Sequence, residues 1–230
     1  MTTRKETPTF EAWLEYCFTR GLADFHGQSP DAADERITRF EGYSPAIGGH
    51  ILRLFESPAV LADRFTDAQL ADGVRYIFGT PSQYFIGMKT EAPPGLIDRC
   101  VRASLAVFTD LFDPVCLRRE AEGVSERTPD SFEQAVIDIW DSGYDAIAMP
   151  QDATDAEFEA GLFVIGGVLE RCRSGACLLS GIEGALAGLL ANPRASGRGR
   201  RLRGLEKAML RRDGVPQEAR AAAEEALRMR

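Results

Sequence analysis

Residues 65–79 read FTDAQLADGVRYIFG, and they contain a start, an apolar face and an end for one short helix. Thr66 and Gln69 have the spacing of a capping box, in which each side chain accepts a hydrogen bond from the other residue's backbone N–H. Gly79 stands where a left-handed residue often ends a helix. The apolar residues recur at spacings typical of an amphipathic helix: Leu70, Val74, Ile77 and Phe78. The stretch therefore predicts a helix that packs one face against a core.

Hydroxyl–proline pairs extend this interpretation along the chain. Six of the twelve prolines follow Ser or Thr: Thr7-Pro8, Ser29-Pro30, Ser44-Pro45, Ser57-Pro58, Thr80-Pro81 and Thr128-Pro129. A hydroxyl caps a helix N-terminus, and proline fits the first helical position because its missing N–H has no partner there. Each pair precedes an apolar helical stripe. The pairs therefore predict helix starts, and proline-directed phosphorylation is the alternative.

Strand signals are scarce in this sequence. No run alternates polar and apolar residues, and 144–150 (YDAIAMP) fits an irregular helix end better than a strand. We predict an all-α fold of eight to ten helices, arranged as stacked antiparallel helical hairpins with brief connections. The stack is either globular or a short HEAT-like solenoid, and no repeat of fixed period selects the solenoid.

Charge divides the chain into an acidic body and a basic end. Residues 194–230 hold eleven Lys and Arg against five Asp and Glu, a net of +6, so with −8 overall the other residues carry −14. We predict an acidic all-helical domain over 1–192, and a basic linker with C-terminal helices over 193–230 that pack on the same domain. The acidity favours a basic protein partner over nucleic acid or an anionic membrane. Nucleic-acid binding through 194–212 is the alternative for the basic end.

The most apolar segment is too short to span a membrane. Residues 176–191 read ACLLSGIEGALAGLLA and include Glu183, whereas a spanning helix needs about 20 apolar residues. The first ten residues lack the apolar core of a signal peptide. We therefore expect a cytoplasmic protein.

The cysteines and histidines do not form a recognisable metal or redox motif. Five irregularly spaced cysteines are typical of buried, reduced thiols. Cys172 and Cys177 are five residues apart, which is neither a CxxC motif nor a zinc-ligand spacing. His26 and His50 lack nearby thiols or carboxylates in such a spacing. No phosphate-binding glycine motif or nucleophile elbow occurs either, so we predict no cofactor, no metal site and no catalytic residue.

The segment 138–150, DIWDSGYDAIAMP, is the candidate protein interface. Trp140 and Tyr144 are one helical turn apart and have Asp141 and Asp145 beside them. Tryptophan and tyrosine are frequent hot spots, and the carboxylates favour a basic partner. The alternative is that Trp140 belongs to an apolar core stripe and the carboxylates only face water.

Glycines on helix faces are the candidate pocket residues. Gly181, Gly184 and Gly188 share one face of a helix, and Gly48 precedes His50 in another. Each glycine inside a helix costs about 1 kcal/mol, so a packing or functional reason is needed. Close approach of a neighbouring helix is one reason. A ligand bound near Gly48, His50 and the Gly181–Gly188 face is the alternative.

Four segments are similar in order and spacing to a group of bacterial all-helical, possibly HEAT-like proteins of unknown function. The segments are HILRLFE (50–56), FTDAQLADGVRYIFG (65–79), RCVRASLAVFTDLFDPVC (99–116) and ACLLSGIEGALAGLL (176–190). The resemblance covers residues 10–192 and implies an all-helical fold. In that group the last segment carries histidines beside its glycines, whereas here the matching positions are Glu183 and Ala187. The resemblance therefore implies no metal or catalytic role for them.

These observations favour an interaction protein over an enzyme. The sequence predicts a non-enzymatic module that binds a basic protein, and an immunity-type inhibitor of a toxin is one concrete form of it. The alternative is a helical enzyme or small-molecule binder with its pocket between helices.

Overall fold

A computed structural model describes residues 8–19, 40, 42–79, 81–141, 143–192 and 196–228. These described residues form helices and contain no strand, so the all-α prediction is confirmed. The helices are α1 (Phe10–Thr19), α2 (Pro45–Glu56), α3 (Val60–Arg64), α4 (Asp67–Phe78), α5 (Tyr84–Glu91), α6 (Pro94–Ala106, continued by a π-helical segment Val107–Phe112 and an α-helical segment Asp113–Glu122), α7 (Phe132–Ile137, continued by a 3₁₀ segment Asp138–Asp141), α8 (Asp145–Ala148), α9 (Asp155–Arg171), α10 (Gly175–Ala191), α11 (Gly197–Leu210) and α12 (Gln217–Arg228). Two of the twelve, α3 and α8, are only five and four residues long.

Two of the predicted helix starts are confirmed, one at Thr66 and one at Ser44. Thr66 forms a complete capping box with Gln69 at the start of α4, and Thr154 forms another with Glu157 at the start of α9. Ser44 caps α2 by accepting a hydrogen bond from the Ile47 N–H. These signals succeed because a cap and its partner lie three residues apart, where distant packing has little influence.

Other predicted boundaries are wrong by a few residues. Gly79 ends α4 with a φ of −84°, which is extended backbone and not the left-handed conformation. The left-handed residue is Gln83, with a φ of 53°, immediately before α5. Ser57 follows the end of α2, and Ser131 caps α7 in place of Thr128. The other hydroxyl–proline predictions include Thr7, Ser29, Pro30 and Thr80, which lie outside the described residues.

Helix α10 is the centre of the fold. It packs against α6, α7, α9, α11 and α12, and Ala176, Leu178 and Ile182 are almost completely buried. In a solenoid each repeat contacts only its sequence neighbours. The arrangement around α10 is therefore globular, and the solenoid form of the prediction is wrong.

Basic side chains of α11 and of the turn that follows it bind groups of the preceding body. Arg201 of α11 pairs with Glu159 of α9, with one nitrogen–oxygen distance of 2.8 Å, and Arg198 pairs with Asp155 at 2.6 Å. The Arg212 guanidinium donates to the carbonyl oxygens of Leu169 and Cys172 at the end of α9. Part of the excess positive charge of residues 194–230 thus pairs with acidic groups of the same chain. The domain boundary at residue 192 stays a prediction.

None of the helices in the described ranges combines the length and the apolar character that crossing a bilayer requires.

Candidate functional site

An open cleft of about 670 Å³ lies between α5, α7, α8 and the end of α10. Its floor includes the buried side chains of Trp140 and Met149, and its rim includes the exposed Leu190. The cleft is lined by Lys89, Trp140, Asp141, Asp145, Ala146, Met149, Pro150, Gln151, Asp152, Ala187 and Leu190. This volume lies within the range of about 300–1,000 Å³ that is typical of binding sites.

Negative charge dominates the rim of the cleft. The lining contains three carboxylates, those of Asp141, Asp145 and Asp152, and one cationic side chain, that of Lys89. Lys89 pairs with Asp152 at 3.0 Å. In the described part of the chain, neither Asp141 nor Asp145 has a Lys or Arg within ion-pair distance. By contrast, Asp155 and Glu159 on α9 are both neutralised by arginines of α11. The rim therefore retains free carboxylate charge.

Glu183 of α10 adds to this negative field. Its side chain is half-buried, and burial raises its pKa above the ordinary value of 4.5. The nearby carboxylates of Asp141 and Asp138 raise the pKa further, because each disfavours a second negative charge. Ionised Glu183 therefore costs folding free energy at neutral pH.

We expect Glu183→Gln to raise the Tm at neutral pH, because it removes a charge that the folded state disfavours. A raised folded-state pKa means that the folded protein binds the proton more tightly than the unfolded chain. The gain should therefore be full at pH values above that pKa and disappear as the pH falls through it towards 4.5. Thermal melts across this pH range measure the gain, with Glu126→Gln on an exposed segment as the control. A lower Tm for Glu183→Gln at neutral pH would contradict the proposed charge crowding.

The two aromatic residues of the predicted interface lie in the core. Trp140 is 2% exposed and Tyr144 is completely buried, with their rings edge-to-face at 5.2 Å. The Tyr144 hydroxyl also forms a hydrogen bond with Ser104 Oγ. Neither ring is therefore exposed enough to act as a hot spot, which corrects that part of the prediction, and Trp140 belongs to the core as the stated alternative has it. The structure does bring Trp140, Asp141 and Asp145 together at the cleft.

The predicted pocket along the Gly181–Gly188 face is filled by protein side chains. A Cβ on Gly184 would lie 2.5 Å from the Trp140 ring, and one on Gly188 would lie 2.9 Å from Leu202. Close approach of neighbouring side chains, the first reason given for these glycines, is therefore confirmed, and the ligand pocket, the alternative, is wrong at this face. Their role at the cleft is indirect, because they let Trp140 and Met149 pack against α10 and form the floor.

The predicted pocket at Gly48 and His50 is also filled. A Cβ on Gly48 would lie 2.9 Å from Leu96. The half-buried His50 ring packs beside Trp13 and Phe10, with 5.7 Å between centroids in each case. Its Nε2 lies 2.8 Å from the Pro8 carbonyl oxygen, a distance at which that nitrogen donates a hydrogen bond. This environment makes His50 a satisfied packing residue.

All five cysteines are buried and free, as the sequence predicts. Burial raises the pKa of the Cys100 thiol to about 12 and that of Cys17 well above 9.0. These two thiols therefore stay protonated at neutral pH and are poor nucleophiles.

Two cleft residues have no signal in the sequence. Lys89 and Leu190 lie on two different helices and reach the cleft only through tertiary packing, whereas Met149 lies within the predicted segment 138–150. Asp152 carried a weak signal, because it follows the acidic segment 138–150 by two residues. The sequence predicted that Trp140 and Tyr144 are one α-helical turn apart. The 3₁₀ segment Asp138–Asp141 interrupts the α-helix before Tyr144, so that spacing does not apply.

Comparisons of the chain with protein-family models, with curated proteins and with solved structures found no match. The resemblance to the bacterial all-helical group thus stays a prediction.

Proposed function

We propose that this protein is a non-enzymatic interaction module that binds a basic segment of a protein partner in the acidic cleft. The observation that carries the proposal is that Asp141 and Asp145, at the open cleft, have no ion-pair partner among the described residues, whereas Asp155 and Glu159 on nearby α9 have arginine partners. An arginine or lysine entering there gains charge complementarity without displacing an internal ion pair.

The exposed Leu190 gives the same surface an apolar contact. Its side chain is 89% exposed and lies on the cleft rim beside Ala187. A partner segment that combines a cation with an apolar residue would neutralise the carboxylates and cover Leu190 together. The charge would mainly speed association and select basic partners, while the apolar contact would slow dissociation.

An immunity-type inhibitor is the most specific form of this proposal. In that form the basic partner is a toxin, and the cleft covers a cationic part of its working surface. The net charge of −14 outside the basic end would attract such a partner over a distance of about one Debye length, 8 Å at physiological salt. This form of the proposal requires that the bound basic protein stops the growth of cells when it is expressed alone. Co-expression of this chain must then restore their growth.

The general proposal is tested with a fluorescein-labelled peptide of alternating arginine and leucine, titrated with the full chain and followed by anisotropy. We expect Asp141→Asn/Asp145→Asn to weaken binding by roughly fivefold, from about 0.5 kcal/mol for each partly exposed ion pair. The difference should shrink as salt is added, because exposed charges are screened. Replacing Leu190 with Ser should increase the dissociation rate.

The matched control is Asp63→Asn/Glu126→Gln, which changes the net charge by the same amount at exposed positions outside the cleft. We expect this variant to bind the peptide as the natural chain does. Equal weakening by both double variants would show that the peptide responds only to overall charge, and it would rule out the cleft as the binding site.

A further inference from the structure

Three of the five cysteines meet a buried carboxylate at the junction of α6, α9 and α10. The members of this thiol–carboxylate cluster are Asp113, Cys116, Cys172 and Cys177. A carboxylate oxygen of Asp113 and the sulfurs of Cys172 and Cys177 all lie within 4.8 Å of one another. The thiols of Cys116 and Cys172 are both neighbours of the Cys177 thiol. Each cysteine of the cluster is 0% exposed and Asp113 is 7% exposed.

The backbone supplies these donors from positions that hold them rigidly. Asp113 and Cys116 are three residues apart in α6 and therefore share one helix face. Cys172 immediately follows α9, and Cys177 lies in the first turn of α10. A π-helical segment ends directly before Asp113, and such segments often occur at functional sites.

The separations suit a tetrahedral ion that has sulfur ligands. With Zn–S bonds of about 2.3 Å and Zn–O bonds of about 2.0–2.2 Å, neighbouring ligand atoms are about 3.5–3.8 Å apart. The Asp113, Cys172 and Cys177 atoms, which lie within 4.8 Å of one another, reach those separations with side-chain shifts of less than about 1 Å. The thiol of Cys116, a neighbour of Cys177, is the fourth donor and must turn towards the other three. Thiolates select zinc over calcium or magnesium, which prefer oxygen ligands.

Hydrogen-bond donors beside the cluster would offset part of the charge of thiolate ligands. Asp113 Oδ1 accepts hydrogen bonds from the backbone N–H groups of Arg173 and Ser174, at 2.9 and 2.7 Å, at the N-terminus of α10. That helix end carries a partial positive charge. The Arg212 guanidinium donates to the Cys172 carbonyl oxygen at 2.8 Å. Such outer contacts orient metal ligands and raise metal affinity.

We propose that the thiol–carboxylate cluster is a structural zinc site. One Zn²⁺ binds the three sulfurs and one Asp113 oxygen, and the three thiols release three protons to solvent in the same step. The ion is closed off from solvent by the burial of its ligands, so it joins α6 to the α9–α10 turn and is not a catalytic centre. This site is separate from the acidic cleft, and its test is independent of peptide binding.

The test uses the full chain, reduced, stripped of metal and then incubated with one equivalent of Zn²⁺. We expect stoichiometric retention of zinc through gel filtration and a higher Tm than in the stripped protein. X-ray absorption at the zinc edge should show three sulfurs at about 2.3 Å and one oxygen at about 2.0–2.2 Å. This measurement needs no variant, so it stands even where a substitution prevents folding.

Variants then assign the ligands. Cys172→Ser and Cys177→Ser should lose the bound zinc, whereas Cys100→Ser removes an equally buried thiol elsewhere and should retain it. Arg212→Gln should lower zinc affinity by about 10- to 100-fold while leaving the sulfur shell intact. Any one of three results would overturn the proposal: no zinc retained by the natural chain, a zinc shell of oxygen alone, or a Cys172–Cys177 disulfide in protein purified from reducing cells.

Discussion

Replacing Arg119 with methionine is expected to destabilise the protein by about 3–5 kcal/mol, because the substitution leaves Glu133 as an unpaired buried charge. Arg119 Nε pairs with Glu133 Oε1 at 2.7 Å, and its Nη1 pairs with Asp67 Oδ2 at 2.7 Å. The Glu133 side chain is only 2% exposed. One arginine thus joins three helices, α4, α6 and α7. Urea unfolding followed by circular dichroism measures the loss.

Arg118→Met is the matched control for this prediction. Arg118 pairs with the same Asp67 but is 47% exposed, so its removal should cost no more than about 1 kcal/mol. A second check is the pair Arg119→Met/Glu133→Leu, which removes both buried charges and should recover most of the lost stability. Equal effects of the two single arginine variants would show that burial of Glu133 is not the cause.

Gly161→Ala is expected to destabilise the protein by about 1–3 kcal/mol through overpacking. A Cβ at this position in α9 would overlap the Ala148 carbonyl oxygen and lie 2.9 Å from Met149 Cε. Rotating a side chain cannot relieve the first contact because it involves backbone, so α8 must move. Thermal or urea unfolding measures the loss of stability. Since Met149 and Asp145 line the cleft, peptide binding should weaken as well.

Gly166→Ala provides the control within the same helix. The nearest atoms to its Cβ are in the Leu205 side chain at 3.4 Å or more, which is ordinary packing. Alanine should therefore gain up to about 1 kcal/mol from its higher helix propensity. A stable Gly161→Ala variant that still binds the peptide would disprove the close contact between α9 and α8.

Local features of the sequence account for the secondary structure well. The Thr66 and Thr154 capping boxes depend on side chains three residues away, and the structure contains both. Local features did not predict that Gln83, and not Gly79, is the left-handed residue between α4 and α5. It depends on how the chain passes from α4 to α5, where Ser82 is fully buried and its Oγ accepts from the Tyr84 N–H.

The candidate sites were only partly accessible from the sequence. The acidic segment around Asp141 was recognised because its charges are adjacent along the chain. The sequence pattern could not show that the Trp140 side chain forms a cleft floor, since this depends on Gly184 of a helix more than forty residues away. Similarly, the spacing of Cys172 and Cys177 predicted no metal site, because the completing donors lie on α6.

The sequence by itself determined that this chain is helical, where several helices begin, and that its body is acidic while its end is basic. Those properties depend on backbone preferences within a few residues and on a simple sum of charges. Only the tertiary structure decided which described carboxylates have no ion-pair partner, which glycines are in close contact with a neighbouring helix, and which thiols lie side by side. These properties depend on distances between residues far apart in sequence, and packing around α10 sets those distances.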